Sequence, residues 1–191
     1  VNERKYTIQK IGAQIDRFLS QILKAGGFRL KYQMSEGETA HPDFENPEIT
    51  VKFSGPDVDL LLANRAELLL ALEHLTMESL RMPSEDHSRI SFDANDYRAL
   101  RIEELRLSAA AAAEKVKSTG VPFNFNPMNS RERRVIHLAL RNEPAVRSES
   151  TGLAAMRHVV IYPAGMPSPA GAQAGGAPGR SPSRPAGRRR R

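Results

Sequence analysis

The 191-residue chain has no cysteine and no tryptophan, and only 6% of it is aromatic. The lack of thiols excludes disulfides, cysteine-based zinc sites and thiol catalysis, and it suits a reducing compartment. No apolar run approaches the roughly 20 residues that cross a bilayer, and the first residues form a polar helix candidate instead of a secretory leader. We therefore expect a soluble, cytoplasmic protein with no membrane insertion. A Gly-rich phosphate loop, a locally signalled Ser-His-Asp arrangement and a nucleotide-hydrolysis motif are all missing, which argues against an enzyme. His41, His74, His87 and His158 show no ligand spacing along the chain, so neither a metal nor a cofactor is expected.

Acidic residues are missing from one region in particular. Beyond Pro163 the chain holds six of its 28 basic residues and no acid, leaving 22 basic against 22 acidic residues over the rest. The net charge of +6 therefore belongs to the tail. That tail, 164–191, is built from Ala, Gly, Pro, Ser and Arg and cannot bury enough apolar surface to offset the entropy of ordering, so it is expected to be disordered. Its end, Arg188 to Arg191, would attract polyanions without specificity. Within the neutral remainder, Pro127 to Pro163 carries six Arg (Arg131, Arg133, Arg134, Arg141, Arg147, Arg157) against three Glu (Glu132, Glu143, Glu149). This local excess is modest, but it falls on the stretch that carries Arg133 and His137.

Hydrophobic periodicity supplies an α/β (α+β) framework. Ile8, Ile11, Ile15, Phe18, Leu19, Ile22 and Leu23 mark an amphipathic helix over Tyr6 to Ala25, stopped by Gly26 and Gly27. Alternation from Phe28 to Met34 and over Ile49, Val51 and Phe53 predicts two antiparallel strands joined by a long loop. Asp57 to Met82 reads as two helices separated by the polar turn Ala63-Asn64-Arg65-Ala66. Pro83 to Asp86 reads as a loop, and Ile90 and Phe92 as a third strand. A long helix from Asp96 to Ser118 includes the Ala run 109–113 and ends at Gly120. Val121, Phe123 and Phe125 alternate as a strand, a helix follows from about Ser130 to Arg141, and segments near Val146 and from Met156 to Tyr162 complete a small sheet.

The stretch Pro127 to His137 stands out within that pattern. Asn129 followed three residues later by Glu132 is a capping arrangement, and Arg133 and His137 lie four apart on one face of the helix it starts. A fixed helix start beside an exposed Arg and His suits phosphate or an unpaired nucleotide. Phe123 and Phe125 nearby offer either base stacking or, the simpler reading, core packing. Asp93, Asp96, Glu103 and Glu104 fall at a strand-to-helix transition, where capping and the helix dipole account for them without a cation.

Pro127 to His137, continued by Leu138, Ala139, Leu140 and the ending Arg157-His158-Val159-Val160-Ile161, resembles the R-three-H domain, named for its Arg-x-x-x-His core. With the preceding helix, strand, strand, helix, helix, strand order, the chain resembles the bacterial Jag family, which joins a type II KH domain (αββααβ) to a C-terminal R-three-H module. The resemblance divides the chain into a KH-like domain at 1–93, an R-three-H domain at 94–163 that includes the long connecting helix, and the tail. It implies single-stranded RNA binding, a regulatory role in cell-envelope growth and a small single-KH protein partner. Arg133 and His137 fall on the family's Arg and His pair, with Asn129, Arg131 and Arg134 on the same surface or its edge. The KH half departs from its pattern. Where a Gly-x-x-Gly turn lets phosphate approach the main chain, this sequence has Ala63 and Ala66, whose Cβ groups restrict and crowd the turn, while Arg65 keeps a charge there. Two further readings remain beside RNA binding: a protein-interaction adaptor using the altered half, either with a partner or by self-association, and a single-stranded DNA binder.

Overall fold

The structure, a computed structural model, describes residues 4–37 and 39–167. From residue 168 on, the expected disordered tail lies outside the described residues. Helix α1 (Ile8–Ala25) starts at Thr7, whose hydroxyl accepts from Lys10 N, and it buries Ile15, Leu19 and Leu23 on one stripe. Strands β1 (Lys31–Glu36) and β2 (Ile49–Ser54) pair antiparallel, with Met34 opposite Val51. Strand β3 (Ile90–Ala94) joins the other side of β2 in parallel, with Val51 opposite Phe92. A parallel neighbour requires a crossover. Helix α2 (Val58–Ser79) supplies it, broken by non-helical residues at Ala63–Ala66 as the sequence pattern anticipated. The core of this half gathers Ile15, Leu19, Val51, Phe53, Leu61, Leu69 and Phe92.

Where a loop was expected before β3, the chain forms a 3-10 turn over Ser84–Arg89. Buried Asp86 holds it: Lys5 and Arg89 pair with its carboxylate, and the Tyr6 hydroxyl donates to it at 2.8 Å. Strand β1 begins three residues later than its alternation suggests. Phe28 N still donates to Leu23 O, and Arg29 N donates to the Asp57 carboxylate at 2.7 Å, so neither is free to join the ladder.

The second half begins with α3 (Tyr97–Thr119), whose buried Ala109, Ala112, Ala113 and Val116 give other elements close access to its axis. Gly120 ends it at φ +69°, a left-handed position that favours glycine. Strand β4 (Phe123–Asn124) is only two residues long. Helix α4 (Ser130–Ala139), β5 (Val146–Thr151), a single 3-10 turn at Ala154–Met156 and β6 (His158–Pro163) follow. The sheet has the order β4-β6-β5 with both pairs antiparallel. Its core contains Ile102, Leu105, Val116, Val135, Ile136, Val159 and Ile161. Phe123 and Phe125 pack edge to face, centroids 5.1 Å apart, against this core, as the simpler reading had it.

Two arginines tie the halves together. Arg98, in the first turn of α3, pairs with Glu73 of α2 and with Glu45 at 3.2 Å, while its Nε donates to Phe92 O at 2.6 Å. Arg131 of α4 donates to His87 O and, at 2.9 Å, to Ile90 O, and lies 3.3 Å from the Glu73 carboxylate. Phe44 crosses in the opposite direction and packs against the second core beneath the Arg106 guanidinium. No helix among the described residues is long and apolar enough to cross a membrane.

Candidate nucleic-acid interface

The start of α4 is built by the capping arrangement anticipated from sequence. The Asn129 side chain accepts from Glu132 N at 2.9 Å, and Asn129 N donates back to the Glu132 carboxylate at 3.1 Å. Glu132 also takes the Arg101 Nε at 2.6 Å, so the cap is bolted to α3. The approach to the cap is fixed as well. Beyond β4, Phe125 N donates to Val159 O and Met128 N to Arg157 O, which carries the chain along β6 and sets the helix start beside Arg157.

Helix α4 turns Val135 and Ile136 inward, followed by Leu140 at its C-terminal cap, and leaves Arg133 and His137 on a flank. His137 reaches across to β5, where its Nδ1 meets Ser148 Oγ at 2.7 Å and its Nε2 meets Ser150 Oγ at 2.9 Å. These serines are two residues apart and so share a face of the strand. Burial, helped by the neighbouring Arg133 charge, pushes the His137 imidazole below its usual range. A neutral ring donates through one nitrogen and accepts through the other, and a hydroxyl answers either need. His137 thus clips α4 to β5 and stands behind Arg133.

Arg133 itself has no carboxylate within ion-pair distance among the described residues. Its Nε is shielded from solvent with no hydrogen-bond partner among those residues, and the same is true of Arg157 Nε. Burial, with the charge of Arg157 added, lowers the Arg133 pKa from its usual value. Two guanidiniums that repel each other and, among the described residues, lack acidic partners form a local positive site. Other arginines nearby are committed: Arg101 to Glu104 and Glu132, Arg106 to Glu103, Arg147 to Glu149.

The remaining candidates divide. Arg134 is exposed, makes no ion pair among the described residues, and borders a separate pocket with Arg131 and Arg89. Arg131 is turned toward β3 and Glu73, so its charge goes into joining the halves and not onto the flank with Arg133. Arg65 is exposed in the broken turn of α2, where Asn64, Arg65 and Ala66 all have positive φ. An open groove of about 490 Å³ joins that turn to the helix start, lined by Asn64, Arg65, Pro127, Asn129, Glu132 and Ala154. Asn129 and Arg65 therefore face one channel although they are far apart in sequence. Sequence reasoning missed Arg157, Ser148 and Ser150 as members of the site. The Ser-x-Ser alternation in β5 was visible, but nothing in the linear order aimed it at His137.

Residues 103–163, which hold this flank and the strands behind it, match the family of the R-three-H domain. An RNA-binding protein KhpB from Clostridium symbiosum is 33% identical over 159 residues, covering 83% of this chain and 68% of the relative. The chain belongs to the KhpB family, the Jag family of bacteria. Proteins of the same name from Bacillus subtilis and Lactiplantibacillus plantarum are 33% identical over 116 residues and 31% over 119, covering 59% and 62% of this chain. The chain spans 56% and 37% of the length of those two relatives.

Proposed function

We propose that this member of the Jag family binds single-stranded RNA on the flank of α4, without catalysing a reaction on it, in keeping with a place in the cytoplasm. The observation that carries the reading is the pair Arg133 and Arg157, two cations whose shielded Nε–H groups have no hydrogen-bond partner and whose charges face no carboxylate among the described residues. A phosphate placed against the solvent-facing edges of the two guanidiniums relieves their repulsion and forms charge-assisted hydrogen bonds with them. His137 acts from behind, fixing the height of the flank against β5 through Ser148 and Ser150. The groove past Asn129 gives the strand a path toward Arg65, where a weaker charge contact replaces the main-chain clamp of a KH turn. Base preference then comes from edge contacts along that path and not from the phosphate contacts, which only position the strand.

The 1–93 portion is the KH-like half in this scheme. Its Ala66 is wholly buried at a positive-φ position, so the turn keeps its shape without glycine and offers side chains instead of bare backbone. That observation also supports a second reading, in which this half docks a small KH protein or a second copy and RNA is held by α4 alone.

Fluorescence anisotropy with a labelled RNA 12-mer tests the scheme, using the full chain and one ending at Pro167 so that the arginine-rich end does not mask the result. Arg133→Ala and Arg157→Ala should each weaken binding about five- to tenfold and make the salt dependence shallower by roughly 0.7 in log-log slope per lost contact. Affinity unchanged in both variants sinks the assignment. A duplex RNA and a DNA 12-mer of the same sequence report strand and sugar selectivity. An Arg65→Ala variant with unaltered RNA affinity but a lost protein complex would favour the docking reading.

A further inference from the structure

A second cluster, where the end of α2 meets the 3-10 turn, plays no part in RNA binding as proposed. His74 and Glu78 are one turn apart on the exposed face of α2, with His74 Nε2 3.9 Å from Glu78 Oε1. His87 arrives from the 3-10 turn, its ring 5.9 Å from that of His74. One donor atom from each of the three residues falls within a 4.8 Å span. Along the chain these residues show no ligand spacing; the fold assembles them by folding the 3-10 turn back onto the end of α2.

We infer that His74, Glu78 and His87 form a binding site for a divalent transition metal of the zinc class. The donor set decides the class. Two imidazoles and one carboxylate suit zinc, nickel, cobalt or copper, whereas magnesium and calcium call for oxygen alone. Geometry agrees. Donors about 2.1 Å from a tetrahedral zinc lie roughly 3.4 Å apart, so the ligands need to close by only about half an ångström to one and a half. His74 and Glu78 are free to do so, with side chains 64% and 59% exposed. The His87 ring is held at Nε2, 3.1 Å from Met82 O; a carbonyl can only accept, so Nε2 donates there and Nδ1 is the nitrogen left for a metal. A backbone carbonyl that fixes the tautomer of a ligating imidazole is the usual outer support of a metal-bound histidine. The fourth position is left to water.

The site has a structural consequence. His87 contributes its ring to the metal and its main-chain carbonyl to Arg131, the residue that docks α4 on β3. A metal pinning His87 to α2 therefore holds the seat on which the second half rests. Metal binding and the contact between the halves become linked, since whatever binds only the folded arrangement stabilises it.

The test is calorimetric titration of Zn2+ into the full chain, together with the visible absorption of bound Co2+ as a report of ligand geometry. One equivalent should bind with a micromolar dissociation constant, and the melting temperature should rise by several degrees with saturating metal. Glu78→Gln and His74→Ala change exposed side chains and should leave the helical circular dichroism intact while weakening binding tenfold or more. His87→Gln should do the same and also abolish the metal-dependent rise in melting temperature. His41→Ala and His158→Ala should change nothing. The inference is overturned if the parent shows no saturable binding, or if it binds one equivalent with the same affinity after Glu78→Gln and His74→Ala. RNA affinity is measured in parallel and should survive all of these substitutions in the absence of metal, so failure of the metal site is distinguishable from failure of the RNA surface.

Discussion

At the scale of single residues, His137 shows how a side chain named for a binding motif does its work by holding still. Both ring nitrogens are occupied by Ser148 and Ser150, and burial together with Arg133 lowers its pKa from the usual 6.5. A lowered histidine pKa means that between the folded value and 6.5 the unfolded chain binds more protons than the folded one. This contribution to stability is therefore complete above pH 6.5 and is lost as pH falls from there toward the folded value. The expected outcome is a parent protein whose urea midpoint drops between about pH 7.5 and about pH 5.5, while His137→Gln is less stable at the upper end but has a flatter profile over the same range. Asp86 does not blur the comparison, because Lys5 and Tyr6 hold it at about 2, so its loss falls at more acid pH. An equal pH dependence in both proteins would show that the imidazole is not the group being titrated.

At the scale of elements, the cap at Asn129 decides how well the Arg133 flank is presented. Asn129 accepts from Glu132 N, and Glu132 answers both Asn129 N and Arg101. Asn129→Ala removes one of these bonds and should cost about 1 kcal/mol in chemical denaturation. Glu132→Ala should cost more, because it unfastens α4 from α3 as well; equal losses would mean that the Arg101 contact is idle. Elements such as α4 were legible because capping and the helical period are local properties. Helices α1 and α3 were equally plain, as was the break at Ala63–Ala66, which no helical residue pattern spans. What stayed hidden depended on partners distant in sequence. The late start of β1 follows from Arg29 N being held by Asp57, and the brevity of β4 from a chain that drifts along β6 with only isolated bonds. The parallel pairing of β2 with β3 left no mark in either strand's alternation. In the candidate site, spacing alone put Arg133 and His137 on one flank of α4, whereas Arg157 came into reach only through Met128 N bonding to Arg157 O. Arg131 looked like a binding residue for the same reason: helical spacing cannot tell a cation that faces solvent from one that faces another part of the fold.

At the scale of the whole molecule, the question is whether the two halves act as one. The polar link between them centres on Glu73, which accepts from Phe92 N at 2.7 Å, pairs with Arg98 and lies 3.3 Å from Arg131. Burial disfavours the Arg98 charge, but Glu73 and Glu45 outweigh it and raise its pKa, so the guanidinium stays charged in a setting where its side chain is 12% exposed. Removing one member of such a network strands the others: Arg98→Ala leaves Glu45 without its cation and Phe92 O without its donor. The expected cost is about 3–5 kcal/mol. Because Arg98 sits where α3 leaves the first half, the loss should fall on cooperativity as well as on stability. The parent should unfold in urea in one transition. The Arg98→Ala protein should show two, with hydrogen exchange first released in α3 and α4 and later in β2 and β3. The groove from Arg65 to Asn129 depends on the halves keeping their placement. On the proposed RNA path, an RNA long enough to follow the groove should bind the parent more tightly than one that spans only Arg133 and Arg157, and this difference should vanish if the halves part. A single transition with an unchanged midpoint, or an intact preference for the longer strand, would mean that apolar contacts such as Phe44 on the second core hold the halves without help from the buried charges.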